Sequence, residues 1–209
     1  MLTHSDAAIG TGGLRRIDLH ERAEQPFAAP GSQVWLECNG EIYNAAEIRA
    51  RYPDYPYRSK SDVETILPLY LERGVAAIPE LVGMFGLAIW DARIQTLILA
   101  RDRAGEKPLF YANAGAEVIF ASELQCLLRH PDISRELDPI AIGEYLRLGY
   151  VPEPRTPLPD VRRIEAGTFL PFHHGDVEKI RYLDHAPRRL ARNPPRPAIP
   201  ERHTPAPTP

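Results

Sequence analysis

Branched and aromatic residues gather in short runs along this chain, separated by stretches rich in Gly, Pro, Ser and charge, and that rhythm predicts its elements. Leu14 to Leu19 and Val34 to Cys38 read as strands, and Ala45 to Arg51 as a short helix. Ser61-Asp62-Val63-Glu64 has the Ser-x-x-Glu form of a capping box, and Ile66, Leu67, Leu69, Tyr70 and Leu71 follow at helical spacing before Gly74. A helix from Asp62 to Arg73 is expected there, with Pro68 as a place for a kink. Met84 to Trp90 and Thr96 to Ala100 flank a polar five-residue turn and predict a hairpin; Leu109 to Ala112 and Val118 to Phe120 predict a second around Gly115. Ser122 to Arg129 and Pro139 to Arg147 read as helices, the latter capped by Asp138 with Pro139 in its first position. Val161 to Ile164 and Thr168 to Phe172 predict a last hairpin around Ala166-Gly167. Strand runs interrupted by paired helices make an α+β layered domain the expected class.

With 209 residues and 44% hydrophobic content, one core is expected, over residues 1–184. From His185 onward the pattern stops: eight of the last twenty-five residues are Pro and five are Arg, so 185–209 reads as a disordered tail. A net charge of −3 without a polybasic run gives no reason to expect nucleic acid or an anionic membrane as partner. There is no apolar stretch near the ~20 residues of a membrane span, and no charged start followed by an apolar segment, so a cytoplasmic location is expected. The two cysteines, Cys38 and Cys126, both sit in apolar runs and read as buried thiols.

Candidate chemistry starts where the second strand run ends, at Asn39-Gly40-Glu41-Ile42-Tyr43-Asn44. Taken alone, Asn39-Gly40 is the dipeptide of a type I′ hairpin turn. With the four residues attached, the stretch resembles the glutamine-site loop of class II glutamine amidotransferases. Five more segments match, in order, the amino-terminal half of glutamine-hydrolysing asparagine synthetases: Arg58 to Glu64, Gly83 to Asp91, Ala100 to Tyr111, Phe120 to Leu124, and Glu144 to Pro152. Together they cover about residues 8 to 184, one domain's worth of chain. The resemblance implies a four-layer αββα sandwich of the amino-terminal-nucleophile hydrolase type, missing its first strand or strands.

It also implies roles for individual residues. Amide hydrolysis needs a nucleophile, a base, and donors aimed at the developing oxyanion. By resemblance, the Asn39 side chain and Gly40 N–H are those donors, and Asp62 holds the α-ammonium of glutamine, helped by Glu41. Asp62 beside Ser61 also suits a helix N-terminus, and the two roles are compatible. The family's carboxylate-gripping arginine has Gly13 in its place, with Arg15 or Arg16 as substitutes on a strand that points them to opposite faces. Arg101-Asp102-Arg103 and Lys107-Pro108 read equally as a shaping element near a synthetase half and as a charged hairpin rim.

The family nucleophile is a cysteine exposed by loss of the initiator methionine, whereas this sequence opens Met1-Leu2. The expectation is therefore a glutaminase domain truncated at both ends and nearly inert, because losing a nucleophile that works as a unit with its base costs on the order of 10⁶ in rate. Three functions stay open: part of an asparagine synthetase, supplying ammonia from glutamine for synthesis from aspartate and ATP; a non-catalytic module that binds glutamine or docks on a synthetase domain or a second copy; and a non-functional gene fragment. No cofactor is expected here, since ATP and magnesium would belong to the synthetase domain, and no metal site is expected.

Overall fold

The computed structural model describes residues 2–4 and 7–9 as backbone, and 24–115, 117–173 and 175–182 with their side chains. β1 (Leu2–His4) and β2 (Ala7–Ile9) form an antiparallel pair of their own. β3 (Phe27–Ala28) and β4 (Val34–Ile42) precede α1 (Ala45–Arg51); a 3₁₀ turn, Val63–Thr65, leads into α2 (Ile66–Arg73), and a second, Gly74–Glu80, leaves it. Then come β5 (Gly83–Asp91), β6 (Thr96–Arg101), β7 (Phe110–Ala114), β8 (Glu117–Ala121), α3 (Leu124–Leu127) and α4 (Pro139–Leu148). β9 (Val161–Arg163), β10 (Thr168–His173), β11 (Asp176–Val177) and β12 (Ile180–Arg181) complete the described chain.

Two antiparallel sheets result. The larger runs β11-β10-β6-β5-β4-β3, with β12 also on β10, and the smaller runs β8-β7-β9. Alternation on the strands sorts side chains into three cores. Leu36, Cys38, Ile42, Leu87, Ile89 and Ile98 pack under α1 and α2 through Ile48, Ile66, Leu67 and Leu69. Between the sheets, Ala88, Leu99, Leu170 and Phe172 meet Leu109 and Ile164, with Tyr111 set edge-on against Phe172 at 5.5 Å. The outer face of the small sheet buries Phe110, Ala112 and Val161 against Leu127, Ile133 and Leu158. Helices, sheet, sheet, helix: the expected αββα order is what the molecule adopts.

Several expectations are corrected. The strand that begins at Val34 runs on past Cys38 to Ile42, so Asn39 and Gly40 lie inside β4 and not in a loop that follows it. Glu64 does not close a capping box; almost wholly buried, it reaches back to accept Arg58 N–H, Ser59 N–H and the Ser59 hydroxyl at 2.6–2.8 Å. Neither Asp62 nor Thr65 caps α2 with its side chain, and Pro68 falls in the first turn, where a missing N–H breaks no intrahelical bond. The helix read from Ser122 to Arg129 shrinks to α3, and Cys126 on it is exposed. Asp138 does cap α4, accepting Ile140 N–H. β9 and β10 are not a hairpin: β9 pairs with β7 and β10 with β6, so Ala166-Gly167 carries the chain from one sheet to the other. The strand read at Leu14 to Leu19, with Gly13, Arg15 and Arg16, and the tail at 185–209 lie outside the described residues.

That crossing is held by two of the residues read equally as a shaping element and as a charged rim, and these two are core. Arg101 and Asp102 are almost fully buried. The Arg101 guanidinium donates to Lys107 O at 2.7 Å, Ile164 O at 2.7 Å, Gly105 O and the Glu153 carboxylate. Asp102 accepts four backbone N–H groups, from Phe85, Ala104, Glu106 and Lys107, at 2.9–3.2 Å. A carboxylate lent to four amides leaves them all unsatisfied when removed. Asp102→Ala is therefore expected to lower the free energy of urea unfolding by about 3–5 kcal/mol, against less than about 1 kcal/mol for a surface carboxylate such as Glu47→Ala.

Candidate functional site

In a strand, backbone N–H and C=O groups of alternate residues point to opposite edges. The even residues of β4 turn theirs away from β5. Val34 O accepts Ala29 N–H at 2.9 Å, Leu36 stands opposite Phe27 of β3, and Ile42 N–H is taken by Asp62 Oδ2 at 2.6 Å. Opposite Gly40, Phe85 sends its own N–H and C=O the other way, to Asp102. Gly40 N–H thus points out of the sheet edge, between Leu36 and Ile42, and among the described residues nothing accepts it.

β3 ends after two residues, yet the edge does not fray. Gln25, the residue that would pair with Cys38 if β3 continued, does so with its side chain: Nε2 donates to Cys38 O at 2.8 Å and Cys38 N–H donates to Oε1 at 2.6 Å. Pro26 between them has no N–H to offer. The outward-facing groups of β4 are therefore closed at Leu36 by a strand, at Cys38 by an amide side chain and at Ile42 by a carboxylate, with Gly40 left open among the described residues.

Glycine is required at position 40 by its neighbour strand. A Cβ there would lie 2.0 Å from Met84 O and 2.6 Å from Phe85 Cα, and one on Gly83 would lie 2.1 Å from Glu41 O. The two glycines let β4 and β5 approach closely at the end where the site lies. The odd residues Trp35, Glu37, Asn39 and Glu41 share the face opposite the α-layer core. Asn39 is exposed, its side chain without a described partner, one residue from the Gly40 donor.

Asp62 arrives from the loop that Glu64 organises. With Arg58 and Ser59 tied to Glu64, the chain turns tightly before the Val63–Thr65 turn and sets the Asp62 carboxylate against the end of β4. One oxygen is used on Ile42 N–H; Oδ1 has no described partner. Successive outward groups on a strand edge repeat about every 7 Å, so a carboxylate acceptor and an amide donor stand about that far apart along one edge.

Of the residues expected to form the site, Asn39, Gly40 and Asp62 are brought together by β4 and its edge. Glu41 follows on the Asn39 face and engages a neighbour of its own. Sequence reasoning missed Gln25, Arg58 and Glu64, the residues that hold this edge; Gln25-Pro26 ahead of a strand was the one available signal, since proline stops backbone pairing.

Cys38 is no candidate nucleophile. It faces the α-layer core, on the side away from Asn39, and its thiol is pushed far up by burial and, secondarily, by the Asp62 and Glu37 carboxylates, with Lys107 opposing weakly. Among the described residues no cluster of His, Cys, Asp and Glu could hold a metal ion, and no helix is long and apolar enough to cross a membrane.

A family model described as a glutamine amidotransferase domain matches residues 1–183, and the chain belongs to that family. It is 34% identical over 179 residues to glutamine-hydrolysing asparagine synthetase 3 of Bacillus subtilis (strain 168), covering 83% of this chain and 29% of that protein. To asparagine synthetase 2 of the same organism it is 37% identical over 137 residues, 65% of this chain and 18% of that one. To a putative asparagine synthetase 2 of Methanocaldococcus jannaschii it is 30% identical over 190 residues, 82% and 36%. The chain thus spans between 18% and 36% of these relatives' length. Among solved structures, the glutamine phosphoribosylpyrophosphate amidotransferase of B. subtilis, complexed with ADP and GMP, aligns over 80% of this chain and 34% of its own with a TM-score of 0.54 at 19% identity, a shared fold.

The opposite settings of the two cysteines predict a thiol titration. In the native protein at pH 8 an aromatic disulfide reagent should label Cys126 within minutes and leave Cys38 untouched; in concentrated guanidinium both should react. Rapid labelling of two native thiols would place Cys38 somewhere other than the core.

Proposed function

We propose that this domain recognises glutamine along the open edge of β4. The carrying observation is the Gly40 N–H, which stands between two closed positions and has no acceptor among the described residues. In this reading it receives the side-chain carbonyl oxygen of glutamine, with the Asn39 amide as second donor, and Asp62 Oδ1 receives the α-ammonium. An extended glutamine places these groups about 6 Å apart, which suits the repeat of a strand edge. Both donors lie where negative charge would develop on the oxygen if the amide were attacked, so the arrangement also suits an oxyanion hole.

Attack needs a thiolate or an equivalent, and neither cysteine of the sequence supplies one at this edge. The proposal is accordingly for binding and amide polarisation by these residues. Ammonia delivery to an acceptor, in asparagine synthesis from aspartate and ATP, is the parent reaction suggested by the relatives' names, and ATP and magnesium would be held by the further length of chain those relatives possess. Leu137, Ile140, Tyr145, Leu146 and Tyr150, on and beside α4, are more than half exposed, which fits a role for this element in such an assembly. No nucleic-acid partner enters this reading.

Calorimetric titration of the chain with L-glutamine tests it. Saturable binding is expected, weakened about 10- to 100-fold by Asp62→Ala, since a charge-assisted hydrogen bond is worth about 1.5–3 kcal/mol, and about fivefold by Asn39→Ala. Ammonia release should stay at background. Heat of binding that is absent in the folded wild type, or indifferent to Asp62, would sink the proposal; ammonia release by this chain would instead make it a working glutaminase.

A further inference from the structure

The Gly40 donor is only as good as its aim, and the residue that sets the aim is Gln25. Resting on the reading of the site just given, we propose that Gln25 is a positioning residue: its carboxamide substitutes for the backbone of an edge-strand residue, pins Cys38 by both backbone groups, and so fixes the direction of the Gly40 N–H two residues on.

Three observations converge on this. The side chain makes the reciprocal pair of bonds, at 2.8 and 2.6 Å, that a strand residue in register with Cys38 would make with its backbone. Because the side chain makes these bonds, Cys38 is satisfied without the backbone of residue 25 entering the sheet. On the other side of the open position, Asp62 does the equivalent with Ile42 N–H.

Gln25 is itself held. Arg58 donates through Nη2 to Glu24 O and, at 3.4 Å, to Pro26 O, the carbonyls on either side of Gln25, and its guanidinium lies 4.8 Å from the Phe27 ring centre. Arg58 N–H is bound by buried Glu64, two residues after Asp62. One buried carboxylate thereby supports both ends of the site: the loop bearing Asp62 and, through Arg58, the segment bearing Gln25. Donor and acceptor are held in register with each other by the same anchor.

The test is ¹⁵N-resolved magnetic resonance on the full chain, wild type against Gln25→Leu and Gln25→Glu, with and without L-glutamine. Gln25→Leu removes both bonds to Cys38. Gln25→Glu keeps an acceptor for Cys38 N–H but sets a carboxylate against Cys38 O. In Gln25→Leu, Cys38 N–H should exchange with solvent about tenfold faster or more, and in both variants the Gly40 resonance should shift or broaden in the free protein. Glutamine affinity should fall about tenfold or more. Arg155→Met, whose lost ion pairs lie at α4, serves as a destabilised control and should leave Gly40 and the affinity unchanged.

A Gly40 resonance unmoved in the Gln25 variants, or moved equally in the control, overturns the proposal. If wild type shows no glutamine-dependent shift at Gly40, the recognition reading fails, and positioning is still decided by the free-state Gly40 resonance. Should Gln25→Leu not fold, Gln25→Glu carries the same comparison.

Discussion

The structure turns on how the outer edge of β4 is closed. An edge strand leaves alternate N–H and C=O groups pointing at solvent, and proteins ordinarily cover them or let another strand pair with them. Here the cover is made piece by piece. A two-residue strand takes Leu36, an amide side chain takes Cys38 and a carboxylate takes Ile42. The remaining position, Gly40, is the one whose neighbour strand tolerates no side chain. Among the described residues this donor is left unpaired, in a frame too tightly packed for the strand to shift.

The frame is made by buried charge used as glue. Asp102 ties the far side of β5 at Phe85, opposite Gly40, while Arg101 beside it joins the two sheets where the chain crosses between them. Glu64 does the corresponding work on the near side, through Ser59 and Arg58. Each of these groups is satisfied by several hydrogen bonds, the condition under which burying charge is tolerable. All three lie within a few residues of the site, so stability and recognition geometry share the same contacts.

Much of this was legible in sequence, for reasons that differ by element. The hairpin of β5 and β6 and the capped start of α4 follow from local signals, apolar runs around a polar turn and Asp-Pro at a helix entry, and both formed as read. Where two local readings competed, tertiary structure decided. Asn39-Gly40 has turn chemistry but lies in a strand because β5 pairs along its whole length. Ser61 to Glu64 has the letters of a capping box, yet Glu64 turns inward to bind residues 58 and 59. The apparent last hairpin fails because Val161 to Arg163 pair with β7 and Ile164 N–H donates to Leu109 O, which commits this segment to the small sheet while β10 joins β6. Asn39, Gly40 and Asp62 were singled out through family resemblance; Gln25 was not, because its bonds to Cys38 depend on the register of a strand that stops before reaching it.

The most direct measurement is a crystal structure of this chain with L-glutamine. The side-chain oxygen should lie within hydrogen-bond distance of Gly40 N–H and the α-ammonium against Asp62 Oδ1, with Gln25 still bridging Cys38. Glutamine bound elsewhere, or Gly40 N–H found paired to the protein's own backbone with no ligand at the edge, would contradict the assignment of this edge as the recognition site.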